Sequence, residues 1–441
     1  MRVLNAILIL KKLKHIRSNQ IAKSSGIILF FKIGTVGFNY MFFLLLSNTY
    51  GASEVGYFAL SFTAIQLFSI IARSGLDIGM FKEISYSRNT KKGIRHLQIR
   101  STFFVSIASA LILVLVFIIK PLMFQYAFSS ETMAAYVMTF LLSLPFYTLM
   151  FFNGEIHRAK KRYSLFAIFQ NFGMYLLLSI YMLIHKFRGL GTFDNFVVYF
   201  IISLSVLALL SFWGTFNHSE REFKKENRNF GGLLSESIPI GVSSLCFFLM
   251  SYFDGIVIGQ FYSETDVGAY AIAFKIALLG SFILISINSA LGPRITELSS
   301  LKKEDLLFKE LRKTTRMGFW ATAPVLIITL LIPEQILGVF GEEFQTAAIP
   351  LIILMIGQIF NTLNGPTGIV LQLTGHQKVF KNIVLISSII TIALNYLLIP
   401  FYGLVGAAIA NSFSLILWNV WCTIRIKQLF GKSFFYLPFF K

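Results

Sequence analysis

Residues 53–68 read SEVGYFALSFTAIQLF and residues 265–280 read TDVGAYAIAFKIALLG, two stretches of the same character at an offset of 212 positions. Both fall inside long apolar runs, the second and the eighth of a series that continues almost from end to end. The correspondence divides the chain into two halves of six runs each. An even number of spans per half makes the halves parallel repeats about an axis along the membrane normal, with a cavity between them.

The runs are roughly 18 to 25 residues long, the length that crosses about 30 Å of hydrocarbon as a helix. Of the 441 residues, 56% are hydrophobic and only 13% are charged, which places the chain in a bilayer. The alternating ten-residue signature of a membrane barrel is absent. The predicted spans are 24–47, 55–81, 101–124, 133–153, 163–184, 195–213, 236–262, 265–292, 317–340, 345–373, 382–400 and 403–424. The fold class is therefore all-α and polytopic, with about twelve transmembrane helices in two six-helix lobes around a central cavity. The expected division is an N-terminal segment 1–23, an N-lobe 24–213, a linker 214–235, a C-lobe 236–424 and a tail 425–441.

A net charge of +19 on a soluble chain would suggest nucleic acid, but here its placement decides its meaning. With the N-terminus inside, 33 of the 39 lysines and arginines lie in the tails and inner connections, three (Lys186, Arg188 and Lys120 at the outer end of the span 101–124) lie on the outer side, and three (Lys32, Arg73, Lys275) lie well within spans. The positive-inside rule then predicts that both termini are cytoplasmic, and no nucleic-acid partner is implied. The short apolar stretch 3–10 runs into Lys11, Lys12 and Lys14 without a cleavage site, so it reads as an amphipathic surface segment and not a signal peptide.

Several chemistries find no support. Cys246 and Cys422 fall inside apolar runs, so neither a disulfide framework nor a thiolate metal site is expected. His15, His96, His157, His185, His218 and His376 all fall outside the predicted spans and show no metal-ligand spacing. The string Gly431-Lys432-Ser433 has Ile426 where a phosphate loop needs its first glycine. No external loop is long enough for a catalytic domain, so an enzyme is not expected, and no cofactor is called for.

Taken together, ASEVGYFALS from Ala52, SGLDIGMFKEIS from Ser74, SYFDGIVIGQFYSETDVGAYAIAFK from Ser251, GPTGIVLQLTGHQK from Gly365 and YGLVGAAIAN from Tyr402 resemble one family. It is the oligosaccharide flippases of O-antigen and related polysaccharide assembly, within the multidrug, oligosaccharidyl-lipid and polysaccharide exporter superfamily. The resemblance implies two six-helix lobes, alternating access, and an undecaprenyl-diphosphate-linked oligosaccharide moved from the inner to the outer leaflet of a bacterial cytoplasmic membrane. It further implies a monomer among membrane lipids, working beside a polysaccharide polymerase and chain-length proteins. The alternative within the superfamily is a cation-coupled multidrug exporter.

A charge near mid-membrane costs on the order of 3 kcal/mol by insertion scales, so each one needs a partner, water or a role. Lys32 and Arg73 fall at one depth on sequential spans, where they could contact the diphosphate of a lipid carrier, with Lys275 facing the cavity as a third substrate-binding candidate; for Lys32 the alternative is snorkelling to the inner interface. Asp77 stands one helical turn from Arg73 and can neutralise it instead. Asp254 and Lys275 fall at comparable depths, which permits either an interhelical ion pair or a coupling or gating role for Asp254, and Asp77 is the second coupling or gating candidate. Gly75 and Gly79 bracket Asp77 at a spacing that admits a close neighbour. Asn39, Gln66, Asn288, Gln358, Asn361 and Asn395 are open to two readings, sugar contacts or interhelical hydrogen bonds.

Overall fold

The computed structural model describes residues 30–90, 92–93, 95–120, 128–189, 191–216, 224–225 and 229–438. The expected surface segment 1–23, the start of the first span and linker residues 217–223 and 226–228 lie outside these residues, as does the side chain of Asn288. In chain order the helices are α1 Phe30–Tyr50, α2 Ala52–Arg73, α3 Leu76–Thr90, α4 Arg95–Ile118, α5 Glu131–Leu141, α6 Leu144–Ala159, α7 Tyr163–Phe187 and α8 Phe193–Phe216. The second half contributes α9 Phe230–Phe261, α10 Glu264–Ser300, α11 Glu304–Leu331, α12 Pro333–Gly338, α13 Ala348–Asn364, α14 Thr367–Leu373 and α15 Gln377–Phe430. A 3-10 turn, Glu342–Ala347, leads into α13.

Ten of these helices are long and apolar enough to cross a membrane, and the pair α5 and α6, bent by 48° between them, makes an eleventh. The 54 residues of α15 would extend about 80 Å as one rod, far more than one bilayer. Gly403 interrupts it at φ 55°, ψ −133°, which gives two crossings and a total of twelve. The lipid solvent is visible in the outward faces: on α8, Val198, Ile202, Leu209 and Trp213 are exposed while Phe196, Phe200 and Leu204 are buried. A helix equally apolar inside and out has hydrocarbon on its outer side.

The chain forms two compact units. The first comprises residues 1–42, 72–110 and 143–238, and its core joins Leu76, Met80, Ile84, Leu97, Val105, Phe152, Ile156 and Leu233. Within it Gly79 does what its spacing suggests, because a Cβ there would lie 2.1 Å from the Ser237 hydroxyl of α9. Gly75 serves differently, adopting with Ser74 (φ 47°) the left-handed region (φ 76°), so the predicted span 55–81 is broken between α2 and α3.

The second unit comprises residues 43–71, 111–142 and 239–441. One core joins Ile295, Leu307, Phe308, Leu311, Val370, Leu371, Ile383, Cys422 and Phe434. At its other end the two repeated stretches meet each other. A Cβ on Gly56 would stand 1.9 Å from the Glu264 carbonyl, and a Cβ on Gly268 would stand 2.0 Å from the Ala52 carbonyl. Ala52 and Gly56 are the counterparts of Glu264 and Gly268 at the 212-residue offset, so the contact is reciprocal. Ser53 and Thr265, also counterparts, share a hydrogen bond of 3.0 Å. Around this crossing Tyr57 donates to Glu264 (2.8 Å), the Ala52 amide donates to Glu343 (3.2 Å), and Asn48 donates to the Val339 carbonyl (3.2 Å).

Such an approach leaves no room for a methyl group on either side. Gly56→Ala or Gly268→Ala should cost about 1–3 kcal/mol through overpacking, read as a lowered thermal midpoint of the purified protein. Gly37→Ala in α1, where a Cβ meets nothing within 4 Å, should be neutral or mildly stabilising by comparison.

Candidate functional site

Arg73 closes α2 and Asp77 opens α3, each at the helix end whose dipole favours its charge. The break at Ser74–Gly75 lies between them, and Nη1 of Arg73 reaches Oδ2 of Asp77 at 2.6 Å with both side chains nearly buried. The other oxygen of Asp77 accepts from the Ile78 amide at 2.9 Å. The guanidinium carbon of Arg73 lies over the Phe151 ring of α6, 4.0 Å from its centroid. The i,i+4 pair foreseen as the alternative for Arg73 is thus formed, although across a break and not along one continuous helix.

A second pair follows the same pattern. Arg158 lies 2.6 Å from Glu155 one turn earlier on α6, between the rings of Phe81 (4.3 Å) and Phe166 (5.3 Å). Gln170 donates to the other oxygen of Glu155 at 2.7 Å. Gln170 belongs to a π-helical turn, Ile168–Phe172, inside α7, the kind of local irregularity that re-aims a side chain. The charges of Arg73 and Asp77 both act on Glu155, and Lys32, partly buried on α1, feels Arg158. Lys32, Arg73, Asp77, Glu155 and Arg158 therefore make one electrostatic cluster in the first unit.

Asp254 and Lys275 lie in the second unit, and the carboxylate makes its contacts elsewhere. Tyr270 donates to Oδ2 of Asp254 at 2.5 Å, Asn411 donates to the same atom at 2.8 Å, and the Gly255 amide donates to Oδ1 at 2.9 Å. Lys275 instead sets its ammonium 3.9 Å above the Phe43 ring. The ion pair suggested by equal depth gives way to a carboxylate held by neutral donors. Asn395 is fully buried with neither amide atom hydrogen-bonded. The Thr391–Ser414 hydrogen bond (2.5 Å) joins the two arms of α15 on either side of Gly403, and Phe253 meets Tyr396 at 5.9 Å.

The other polar candidates divide. Gln358 accepts from Ser281 (2.5 Å), Asn361 accepts from Asn419 (3.1 Å), and Asn419 accepts from Thr367 (3.1 Å), so these amides work as interhelical hydrogen-bond partners. Asn39 and Gln66 are partly buried. Among the described residues no group of three or more His, Cys, Asp and Glu side chains could hold a metal ion.

Sequence reasoning places 154–162 in a connection and so misses Glu155 and Arg158. The apolar run stops at Phe152, but helix α6 does not stop until Lys161 turns to φ 61°. The same extension corrects the histidines: His157 is completely buried on α6, inside a helix and not in a loop. Tyr270 and Asn411 lie within the predicted spans and carry no charge to single them out.

The family model described as "Polysaccharide biosynthesis protein" matches residues 21–299, and the MatE model matches residues 239–397. A Haloferax volcanii protein named "Probable low-salt glycan biosynthesis flippase Agl15" is 26% identical over 49% of this chain and 46% of its own. The chain spans about half the length of the curated relatives it matches. Among solved structures, an inward-facing multidrug resistance MATE transporter of the MOP superfamily superposes with a TM-score of 0.74 at 15% identity, over 93% of this chain and 99% of that one. The lipid II flippase MurJ, in an inward closed conformation, superposes with a TM-score of 0.69 at 16% identity, over 92% and 87%. These two likenesses concern the fold.

The Glu155–Arg158 pair predicts strong coupling. Arg158→Met leaves a nearly buried carboxylate without its counter-charge and should cost about 1–3 kcal/mol, whereas adding Glu155→Gln should recover most of that loss. A double-mutant cycle on thermal unfolding reads the interaction, and additive losses would show the two charges to be independent.

Proposed function

Because the chain belongs to the polysaccharide biosynthesis protein family, we propose that it is a flippase carrying an undecaprenyl-diphosphate-linked oligosaccharide from the inner to the outer leaflet of a bacterial cytoplasmic membrane. The family match carries this reading, and the carboxylate-paired cations of the first unit, Arg73 and Arg158, with the partly buried Lys32, support it. The lysine and arginine distribution supports an orientation with both termini cytoplasmic, which makes the Ala52 and Glu264 ends of α2 and α10 the outer side. In this reading the lobes 24–213 and 236–424 alternate access around one cavity. The crossing of the two repeats is the contact that parts when the outer side opens.

Lys32 and Arg73 are the proposed diphosphate contacts, with Lys275 a further cavity cation. Arg73 already holds Asp77, so the incoming phosphate competes with a carboxylate, and exchange of one anion for the other supplies a reversible grip. Asp254 is the proposed coupling or gating residue, since a buried carboxylate met only by neutral hydrogen-bond donors favours arrival of a cation or a proton. That same feature favours the second reading, a cation-coupled multidrug exporter. Transport, with no catalytic step, is common to both. Polymerase and chain-length proteins are proposed neighbours, and a monomer the proposed unit.

Deletion separates the two. A flippase deletion should strand lipid-linked oligosaccharide at the inner leaflet and abolish surface polysaccharide, with unchanged drug susceptibility. Unchanged polysaccharide alongside drug sensitivity would favour the exporter. In well-accumulated protein, Lys32→Ala/Arg73→Ala should reduce flipping at least about tenfold, the effect of losing a charge-assisted contact of roughly 1.5–3 kcal/mol. Arg73→Lys should retain part of the activity. Exchanging the charges at positions 73 and 77 should not restore flipping, whereas restoration would reduce Arg73 to a structural pair.

A further inference from the structure

The segment after α15 does not trail away from the helices. Gly431 ends α15 in the left-handed conformation (φ 65°), its amide bonded to the Lys427 carbonyl, and the chain then turns back along α11. Lys432 pairs with Asp305 at 2.7 Å, and Arg312 donates to the Ser433 carbonyl at 2.9 Å. Phe434 is buried in the core with Leu307, Phe308 and Leu311. Trp320 donates to the Tyr436 hydroxyl at 3.0 Å, and Phe319 meets the Tyr436 ring at 5.7 Å. Asp305, Phe308, Arg312 and Phe319 recur at helical spacing, so 432–436 tracks one stripe of α11.

The last contact explains why the segment is there. Helix α13 ends at Asn364, and the Gly365–Pro366 step separates it from α14. The Leu363 carbonyl would ordinarily accept from residue 367, but the Thr367 amide donates to Gly365 (2.9 Å), and Pro366 has no N–H to offer. The Tyr436 amide fills that role, donating to Leu363 at 3.0 Å. A helix break within a membrane protein persists only where its freed backbone groups find partners, and here one partner comes from more than seventy residues later in the chain. The break itself is confined by α11: Gly365 has φ 68°, and a Cβ on it would lie 2.3 Å from the Thr315 hydroxyl.

We propose that residues 432–437 are a strap that stabilises the Gly365–Pro366 break against α11, and that its undocking frees the break to bend. Its part in a transport cycle rests on the reading of the chain as a transporter, but the clamping of the break does not. Amide hydrogen exchange of the purified full chain in lipid nanodiscs tests the clamp directly. Tyr436→Pro removes the N–H that caps Leu363, and Tyr436→Phe removes only the hydroxyl. In Tyr436→Pro, exchange across 363–370 should rise about fivefold or more, with α2 and α10 unchanged, as for local opening and not global unfolding. Tyr436→Phe should stay within about twofold of the parent. Phe434→Ala should act like Tyr436→Pro by loosening the anchor in the core.

The strap is overturned if 432–437 exchanges freely in Tyr436→Pro while 363–370 keeps its protection, or if every helix of the second unit loses protection equally. If the exchange pattern holds and the parent protein moves no lipid-linked glycan, the flippase reading fails and the strap stands. If the glycan moves at an unchanged rate in Tyr436→Pro with 363–370 deprotected, the link between undocking and transport is overturned.

Discussion

The backbone contact between Ala52–Gly56 and Glu264–Gly268 is the constraint on which the second unit depends where the two repeats meet. Lipid tails are as apolar as leucine, so helices in a bilayer gain little from burying hydrophobic side chains against each other. What remains is close packing and the weak Cα–H···O contacts that become available when nothing larger than hydrogen intervenes. Two glycines at equivalent positions of the repeats allow that approach. Once it is made, Ser53 and Thr265 are within hydrogen-bonding distance, and Tyr57 and Glu264 follow.

A second constraint governs the charges, and it is met differently in the two units. Arg73 and Arg158 each carry a carboxylate one turn away and an aromatic ring on the guanidinium face. These pairs hold arginine in an apolar surrounding without fixing it, because another anion can replace the carboxylate. The hydrogen-bond partners of Asp254 are instead a phenol, an amide side chain and a backbone N–H, all neutral. The first unit thus holds its arginines beside carboxylates, and the second holds a carboxylate met by neutral donors. Under the proposed function, the first pattern is the one offered to an anionic cargo and the second the one offered to a coupling cation.

The twelve crossings are legible because lipid imposes apolar runs of a fixed length, and the repeat is legible because its two copies meet through glycines at equivalent positions, Gly56 and Gly268. The structure is less continuous than the runs suggest. Ser74–Gly75, Gly365–Pro366 and Gly403 interrupt helices inside apolar sequence, and hydropathy is blind to φ. Of the site, Lys32, Arg73, Asp77 and Asp254 announce themselves as charges among apolar neighbours. Glu155 and Arg158 do not, because they lie just beyond an apolar run on a helix that continues past it. The Asp254–Lys275 pairing fails because equal depth along two helices leaves rotation about each helix undetermined. The Gly431-Lys432-Ser433 string, no phosphate loop, forms the turn and first anchors of the strap along α11.

The central claim is that a lipid-linked oligosaccharide crosses the membrane when the two repeats part at their mutual contact. Ser53 and Thr265, 3.0 Å apart through their hydroxyls, allow that motion to be blocked chemically. The measurement is transfer of a fluorescent undecaprenyl-diphosphate oligosaccharide across proteoliposomes containing Ser53→Cys/Thr265→Cys, with Cys246 and Cys422 replaced. The account predicts protein-dependent transfer that stops when the disulfide is formed and resumes when it is reduced. Full-rate transfer through quantitatively cross-linked protein would contradict it.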